Sequence, residues 1–422
     1  MSYLVILAVL LASASQALAQ PPIIILPGLL DSQLIVTYNK SADSSAACNN
    51  NFNNTVMWVP SIGNATEIGN FLTTFAAGPG KQLPDCWFHV MQLQRNAARQ
   101  IFTSNIGVTV RPALSISQSY VLKPLQRLLL AKTGLNYSAS RIKVLAYDWR
   151  LDINSMTRGG QLAQLRGRIQ TISRQFKNES VILVGYSQGN LVARALLRDT
   201  KMQALVKGYI AIAPPFGGSA RVMGALSSGA LEGNIMPDLE AKLQIPPPYN
   251  QIISREYLMY NAAQELASLA MQAPSPAGFP GDPVVAVAGP KSYKVSQLGQ
   301  LFSDIGQPML AEALKSQVDA SDFVPIPGVP TYCIYGGAQP TPTQLTYKAA
   351  FAADKINELP VTAGFVDGDS VVPLSSLSLC DKLTDKDNVY KLMGKINHFT
   401  VLNETAGLAA IAKVFGKILE KK

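Results

Sequence analysis

The segment around Ser187 has the residue types and spacing of a serine nucleophile. An apolar run leads into a G-x-S-x-G motif at residues 185–189, and a helical pattern follows it. In such a tight strand-to-helix turn the serine backbone is strained, and glycines on both sides avoid collision. The turn exposes the serine oxygen and directs the backbone N–H of Gln188 toward an oxyanion formed beside it. We therefore predict that Ser187 is the nucleophile of an acyl transfer.

A serine hydroxyl needs a base that takes its proton, and the chain has two histidines, His89 and His398. His398 lies late in the chain, after the serine, as in the Ser, Asp, His order of α/β-hydrolases. His89 precedes the serine, so we interpret it as an ordinary, partly buried histidine. Two histidines exclude a zinc site built from several of them. We expect neither a metal nor a cofactor.

The histidine in turn needs a carboxylate that orients it and stabilises the imidazolium. A D-G-D motif supplies two candidates between Ser187 and His398, namely Asp367 and Asp369. A plain turn is the competing explanation for Asp367, and the residues alone leave the choice between the two open.

A second oxyanion donor should come from the loop after the first strand. The segment Ile25-Leu26-Pro27-Gly28-Leu29-Leu30 stands at that place. Gly28 would allow close approach of the backbone, and the N–H of Leu29 would face the oxyanion.

Short apolar runs that alternate with helical patterns predict an α/β fold with a mostly parallel sheet. Apolar residues at three- and four-residue steps between Leu162 and Phe176 predict one amphipathic helix. We expect a single domain over 20–422, with insertions at about 38–90 and about 220–330. The second insertion shows no obvious strand, so we expect a helical cap. The candidate strands are Ile23–Leu26, Ile142–Ala146, Val181–Val184, Tyr209–Ala213 and Tyr332–Tyr335.

The composition narrows the class of protein further. Of 422 residues 48% are hydrophobic, which excludes a disordered chain. The net charge of +9 is spread along the chain, which argues against a nucleic-acid-binding arm and is compatible with attraction to anionic membrane surfaces.

The N-terminus and the cysteines indicate the secretory pathway. Residues 1–19 hold an apolar run and a small-x-small step, typical of a cleaved signal peptide. In that compartment the four cysteines favour two disulfides, and local loop closure favours Cys48–Cys86 and Cys333–Cys380. Glycosylation acceptors stand at Asn39, Asn53, Asn64, Asn136, Asn178 and Asn403.

Taken together, the motifs resemble the lecithin:cholesterol acyltransferase and lysosomal phospholipase A family of α/β-hydrolases. The similarity lies in the order of the motifs and covers most of the mature chain. The matching segments are Leu26–Leu34, Asp85–Trp87, the YDWRL motif at Tyr147–Leu151, Gly185–Gly189, Ala213–Ser219, Asp367–Asp369 and the surroundings of Cys380 and His398.

The resemblance implies a catalytic triad of Ser187, Asp369 and His398, because the family's acid is the aspartate after the glycine. It also implies oxyanion donors at Leu29 and Gln188. Asp31 stands where the family commonly has glycine. Within the YDWRL motif, we interpret the residues as buried ion pairing and packing in preference to substrate contact.

We therefore expect a lipid acyl hydrolase or acyltransferase that acts on glycerophospholipids through an acyl-serine, passing the acyl group to water or to a lipid alcohol such as a sterol. The alternatives are a neutral-lipid lipase or carboxylesterase, and an inactive lipid-binding homologue. The partner would be a phospholipid membrane or lipoprotein surface, not nucleic acid. In the loop between Cys48 and Cys86 we expect a lid, with Trp58 the best candidate for interfacial contact. Secretion and delivery to a lysosome or vacuole both stay open, as does the oligomeric state.

Overall fold

The structure, a computed structural model, describes residues 20–43, 48–58, 84–113, 119, 121–230, 260–261, 263, 266–353 and 356–420. The predicted signal peptide, residues 1–19, lies outside these ranges. The described strands, numbered in chain order, are β1 (Ile23–Leu26), β2 (Gln33–Tyr38), β3 (Phe52–Trp58), β4 (Leu93–Asn96), β5 (Ile101–Ser104), β6 (Val108–Ala113), β7 (Ile142–Val144), β8 (Val181–Tyr186), β9 (Val206–Ile212), β10 (Val284–Ala288), β11 (Lys291–Lys294), β12 (Thr331–Gly336), β13 (Gln339–Tyr347), β14 (Val361–Gly368) and β15 (Val389–Leu392).

The described α-helices are numbered in the same way. They are α1 (Pro84–Met91), α2 (Lys123–Leu130), α3 (Ile153–Arg158), α4 (Gln161–Gln175), α5 (Gly189–Leu197), α6 (Thr200–Gln203), α7 (Arg221–Ser228), α8 (Ala267–Met271), α9 (Leu298–Asp304), α10 (Leu374–Leu377) and α11 (Thr405–Glu420). None of these described helices combines the length and apolarity needed to cross a membrane.

A six-stranded sheet in the order β15-β12-β9-β8-β1-β7 forms the centre of the fold, and all its pairings are parallel. Its middle strands are almost entirely apolar and buried along their whole length, because helices cover both faces. Alternate side chains of β1 enter opposite layers. Ile24 packs in a core with α4 and α5, whereas Ile25 packs in a second core with α2 and α11.

This arrangement confirms the predicted α/β class. All five predicted strands are present in the central sheet, with boundaries displaced by up to three residues. The amphipathic stripe is also confirmed, since Leu162, Leu165, Ile169 and Ile172 form the buried side of α4. Strand β15 was not predicted, because its four residues are partly exposed and include Tyr390 and Lys391, so they do not form an apolar run.

The expectation of a purely helical second insertion is wrong within its described part. Strands β10 and β11 form a hairpin there, and β10 pairs in parallel with β13 from a distant part of the chain. Together with β14 they make a four-stranded sheet in the order β11-β10-β13-β14. A five-residue apolar run in an Ala- and Pro-rich stretch does not distinguish strand from helix by itself.

The first insertion is described only in part. It contributes β3, which joins β2 and β6 in a three-stranded antiparallel sheet, and it ends in α1. Trp58 is the last residue of β3, and its side chain lies outside the described part of the structure. Residues 59–83 of the loop between Cys48 and Cys86, in which we expect the lid, also lie outside it.

Both disulfides have the pairing that the sequence favours. Cys48 is bonded to Cys86 in α1, and Cys333 of β12 is bonded to Cys380 in the turn after α10. The second bond joins β12, which precedes β13, β14 and the D-G-D motif, to the segment that follows the motif.

Candidate active site

The G-x-S-x-G motif forms the turn between β8 and α5. Ser187 has a positive φ of 50°, which is unusual for a residue with a side chain. Its N–H donates to the carbonyl of Ile212 in the neighbouring strand β9 at 3.0 Å. The strained turn is therefore fixed to the sheet, as the sequence predicts.

The two glycines of the motif are required by close packing. A Cβ at Gly185 would lie 2.4 Å from Oδ1 of Asn190, in the first turn of α5. A Cβ at Gly189 would lie 2.2 Å from the carbonyl oxygen of Leu26, at the end of β1. The helix can therefore begin directly over the sheet only because both positions lack a side chain.

The structure brings Ser187, His398 and Asp369 into one hydrogen-bonded chain. Nε2 of His398 lies 2.9 Å from Oγ of Ser187, and Nδ1 lies 2.7 Å from Oδ2 of Asp369. Because the carboxylate only accepts, Nδ1 carries the hydrogen, and Nε2 is left to accept the proton of the serine hydroxyl. This arrangement allows His398 to act as a general base toward Ser187.

Backbone groups hold the carboxylate and the imidazole in place. The other oxygen of Asp369 accepts hydrogen bonds from the N–H groups of Val371 at 3.1 Å and Val372 at 2.7 Å. The N–H of His398 donates to the carbonyl of Asp369 at 2.8 Å. Asp369 is 0% exposed and His398 is 3% exposed, so their interaction is shielded from water.

Tyr186, inside the G-x-S-x-G motif, supports the histidine in a way that the sequence did not indicate. Its hydroxyl donates to the backbone carbonyl of His398 at 3.1 Å. Burial raises the pKa of Tyr186 well above its usual value, and the nearby charges of Asp31 and Asp369 raise it further. The phenol therefore stays protonated and remains a donor.

The two competing candidates, Asp367 and His89, lie apart from this chain. Asp367 accepts from the N–H of Ala338 and lies 3.7 Å from Nζ of Lys391, with a side chain that is 40% exposed. His89 lies in α1, with Nε2 3.0 Å from Oδ2 of Asp43. Its environment fits the partly buried histidine expected from the sequence.

The loop after β1 packs directly against the serine. A Cβ at Gly28 would lie 3.2 Å from Cβ of Ser187, so the backbone on both sides of Gly28 runs past the nucleophile. The hydroxyl of Tyr147 donates to the carbonyl of Pro27 at 2.6 Å, and this hydrogen bond fixes the loop. This placement supports the proposal that the N–H of Leu29, the next residue, contributes to an oxyanion site.

The backbone N–H of Gln188 is the other proposed oxyanion donor, and the side chain of this residue is fixed by a hydrogen bond. Its Nε2 donates to the carbonyl of Trp149 at 3.0 Å, and the residue is 0% exposed. A fixed side chain keeps the first residue of the turn after Ser187 in one conformation, which favours a preorganised backbone donor.

Asp31, three residues beyond Gly28, is a half-buried residue beside the site with an enclosed carboxyl oxygen. Its Oδ1 accepts from the Ser119 hydroxyl at 2.6 Å, while Oδ2 has no hydrogen-bond partner among the described residues. Burial raises the pKa of Asp31 to about 6, and the bond from Ser119 only partly opposes this. The sequence marks Asp31 as a difference from the family, but it does not show that the carboxyl is buried.

The YDWRL segment has the structural role predicted for it. Arg150 is 0% exposed and forms a two-pronged ion pair with Asp148, through Nε at 2.9 Å and Nη2 at 2.8 Å. Its remaining N–H groups donate to the carbonyls of Val90 and Met91 and to the hydroxyl of Ser104. The guanidinium thus joins the end of α1 to the central sheet.

Across the described ranges, no group of three or more His, Cys, Asp or Glu side chains is arranged to hold a metal ion.

Comparisons with known proteins agree with the motifs. The family model described as "Lecithin:cholesterol acyltransferase" matches residues 77–247 and 293–403, more than half of the chain. The phosphatidylcholine-sterol acyltransferase of Gallus gallus is 24% identical over 337 residues, which cover 75% of this chain and 75% of that protein. The Homo sapiens protein of the same name is 25% identical, and the alignment spans 70% of this chain and 64% of that protein's length.

Two further similarities extend over nearly the whole chain. The human lysosomal phospholipase A and acyltransferase is 23% identical over 435 residues, covering 98% of this chain and 95% of that protein. Among solved structures, a chain of the Tle4-Tli4 complex matches with a TM-score of 0.50 at 13% identity, covering 95% of this chain and 99% of that one. The latter similarity shows a shared fold.

Proposed function

The chain belongs to the lecithin:cholesterol acyltransferase family, and on this basis we propose that it transfers an acyl group from a glycerophospholipid through an acyl-serine intermediate. Relatives named phosphatidylcholine-sterol acyltransferase and lysosomal phospholipase A and acyltransferase support a phospholipid as the acyl donor. The observation that carries the proposal is the hydrogen-bonded chain from Ser187 through His398 to Asp369.

In the first half-reaction, Nε2 of His398 takes the hydroxyl proton while Oγ of Ser187 attacks the ester carbonyl carbon. The carbonyl π electrons move to oxygen, and the N–H groups of Leu29 and Gln188 stabilise the resulting oxyanion. One such donor is typically worth about 3 kcal/mol of transition-state stabilisation. The tetrahedral intermediate then expels the lysophospholipid, whose alkoxide oxygen receives the proton from His398, and the acyl group remains on Ser187.

In the second half-reaction, His398 takes a proton from water or from a lipid alcohol, and the oxygen of that acceptor attacks the acyl-serine carbonyl. Collapse of the intermediate releases a fatty acid or an acyl ester, and the proton returns to Ser187. Asp369 stabilises the imidazolium in both steps. Competition between the acceptors depends on how far the site excludes water and orients the alcohol.

The partner is a lipid, and we propose that the protein meets it at a membrane or lipoprotein surface. Trp58, at the start of the proposed lid, is the sequence-based candidate for insertion into that surface. The two disulfides support entry into the secretory pathway, and delivery either outside the cell or to a lysosome or vacuole is consistent with them.

Covalent labelling tests the catalytic assignment. We expect a fluorophosphonate to label the wild-type protein and not the Ser187→Ala variant. Asp369→Asn should reduce the labelling rate by about 10⁴-fold, because the histidine loses its orienting carboxylate. Asp367→Asn is the matched control, since that exposed carboxylate lies two residues away and should leave the rate unchanged. Equal losses in both aspartate variants would contradict the assignment of Asp369.

A product assay tests the substrate and the acceptor. Wild-type protein is incubated with labelled phosphatidylcholine vesicles, with and without sterol, and free fatty acid and sterol ester are separated. Acyl release that is absent in Ser187→Ala supports a phospholipid acyl hydrolase or transferase. Labelling by fluorophosphonate with turnover of triacylglycerol alone would instead indicate a neutral-lipid lipase.

Vesicle binding tests the proposed role of Trp58. If a Trp58→Ser variant binds vesicles as tightly as wild type, Trp58 does not contribute to the membrane interface.

A further inference from the structure

Exposed apolar side chains are concentrated on one part of the surface. Of the eight large hydrophobic residues that are exposed in the described structure, five lie on β14, just before it, or in the loop after β15. Most exposed apolar residues of a soluble protein are scattered singly, so such a cluster marks an interaction site. We call this cluster the β14 patch; its members are Leu359, Val361, Phe365, Val366 and Met393, between 45% and 63% exposed.

The pattern along β14 differs from that of an ordinary surface strand. Strand β14 is an edge strand of its sheet, and Val361 and Phe365 lie four residues apart on it, so they project from the same face; Leu359 lies two residues before the strand. A strand with one solvated face normally places polar residues there. Val366 projects from the opposite face, so apolar surface is exposed on both sides of the strand end nearest the D-G-D motif.

The β14 patch is continuous with the segments that carry the catalytic acid and base. Strand β14 ends at Gly368, immediately before Asp369, and Met393 lies five residues before His398. Both segments border Gly337, since a Cβ at that position would lie 3.2 Å from Sδ of Met393 and 3.6 Å from Oδ1 of Asp367. A partner bound to the patch would therefore sit beside the triad.

The charges around the patch favour an anionic partner surface. Lys348, Lys391 and Lys395 are exposed at its borders. Two carboxylates stand against these three lysines: Glu358, which accepts from the N–H of Ala349, and Asp367, which lies 3.7 Å from Nζ of Lys391. The five groups together leave one excess positive charge. Lysines that border an apolar surface can lay their alkyl chains on lipid and place their ammonium groups among anionic headgroups.

We propose that the β14 patch is a lipid-contact surface that docks the protein on a phospholipid bilayer containing anionic lipid, with the catalytic acid and base at its edge. The proposal deepens the proposed function and rests on it for the identity of the substrate. A second copy of the chain, bound through the edge of β14, would compete for the same surface. We favour lipid because the apolar side chains project from both faces and from a separate loop, whereas strand pairing uses the edge backbone.

The test compares two double variants of the full chain, each of which replaces two apolar side chains of similar fractional exposure. Val361→Ser with Phe365→Ser removes two members of the patch, which are 63% and 58% exposed. Ile106→Ser with Val324→Ser is the control, since these residues are 60% and 58% exposed and lie outside the patch. Co-flotation measures partition onto phosphatidylcholine vesicles with and without phosphatidylserine, and labelling of Ser187 by a soluble fluorophosphonate reports whether each site is intact.

We expect the patch variant to lose about tenfold in vesicle partition, since two apolar side chains no longer leave water. The control variant should partition like wild type, and wild type should partition more strongly onto vesicles with phosphatidylserine. Partition of the patch variant within twofold of the control would overturn the proposal. So would a wild-type dimer that the patch variant abolishes without change in partition, which would identify self-association. Vesicle binding by a wild type that neither labels nor releases fatty acid would refute the proposed function and leave the docking surface standing.

Discussion

Replacing Arg150 with methionine should destabilise the whole fold, although Arg150 lies outside the proposed catalytic chain. The guanidinium uses all five N–H groups, toward Asp148, two backbone carbonyls at the end of α1 and the hydroxyl of Ser104. Asp148 is only 5% exposed, so methionine would leave a buried carboxylate without its counter-ion. Removing one partner of such a pair costs about 3–5 kcal/mol, a large part of the roughly 5–15 kcal/mol that holds a typical domain folded.

Denaturation by urea, followed by tryptophan fluorescence, measures this loss as a lower midpoint at unchanged slope. Arg198→Met is the matched control, because Arg198 forms a 2.6 Å ion pair with Asp322 but its side chain is 61% exposed. We expect a loss below about 1 kcal/mol there. Adding Asp148→Asn to Arg150→Met should restore part of the stability, since the uncompensated charge is removed. An Arg150→Met variant no less stable than Arg198→Met would refute the reasoning.

Three further predictions concern stability. Burial raises the pKa of Asp31 from its ordinary value of 3.8 to about 6, so the folded state holds the proton to higher pH and stability falls as pH rises between these values. Asp31→Asn should therefore raise the free energy of unfolding more at neutral pH than at about pH 4, by up to roughly 3 kcal/mol; an equal effect at both would contradict this. Gly189→Ala should prevent folding, because its Cβ would meet the Leu26 carbonyl, while Gly167→Ala, with no neighbour within 4 Å, should stabilise α4 by about 0.5–1 kcal/mol. Normal fluorophosphonate labelling of Gly189→Ala would show that the turn tolerates a side chain. Replacing Cys333 and Cys380 together by alanine should cost about 4 kcal/mol for a separation of 47 residues, and an unchanged denaturation midpoint would argue against a stabilising role.

The parts of the molecule that the sequence predicted are those where chemistry restricts the residue type. Ser187 needs two glycines and an apolar strand, and a chain with two histidines offers few choices of base. Five of the six described strands of the central sheet were predictable because burial on both faces demands uninterrupted apolar runs, whereas the edge strand β15 is partly exposed. The choice of Asp369 over Asp367 came from the family resemblance, and the structure places Asp369, not Asp367, against His398.

Other features depend on partners that are distant in the chain. Strands β10 and β13 pair across more than fifty residues, and neither segment alone indicates the pairing. The hydroxyls of Tyr147 and Tyr186 reach the carbonyls of Pro27 and His398, contacts that only the assembled sheet creates. Burial of Asp31 likewise results from packing around the loop, which no local pattern records.

The bond between Cys333 and Cys380 closes a covalent ring that contains the β13–β14 hairpin and Asp369. Lys348, at the exposed end of β13, offers a cleavage point for trypsin-like proteases within that ring. A single cut there yields two polypeptides that remain joined through sulfur, so the acid-bearing half stays attached to the central sheet. Such a nicked protein would run as one species on a non-reducing gel and separate into two after reduction. The disulfide thereby keeps Asp369 linked to the central sheet even after the backbone has been cut.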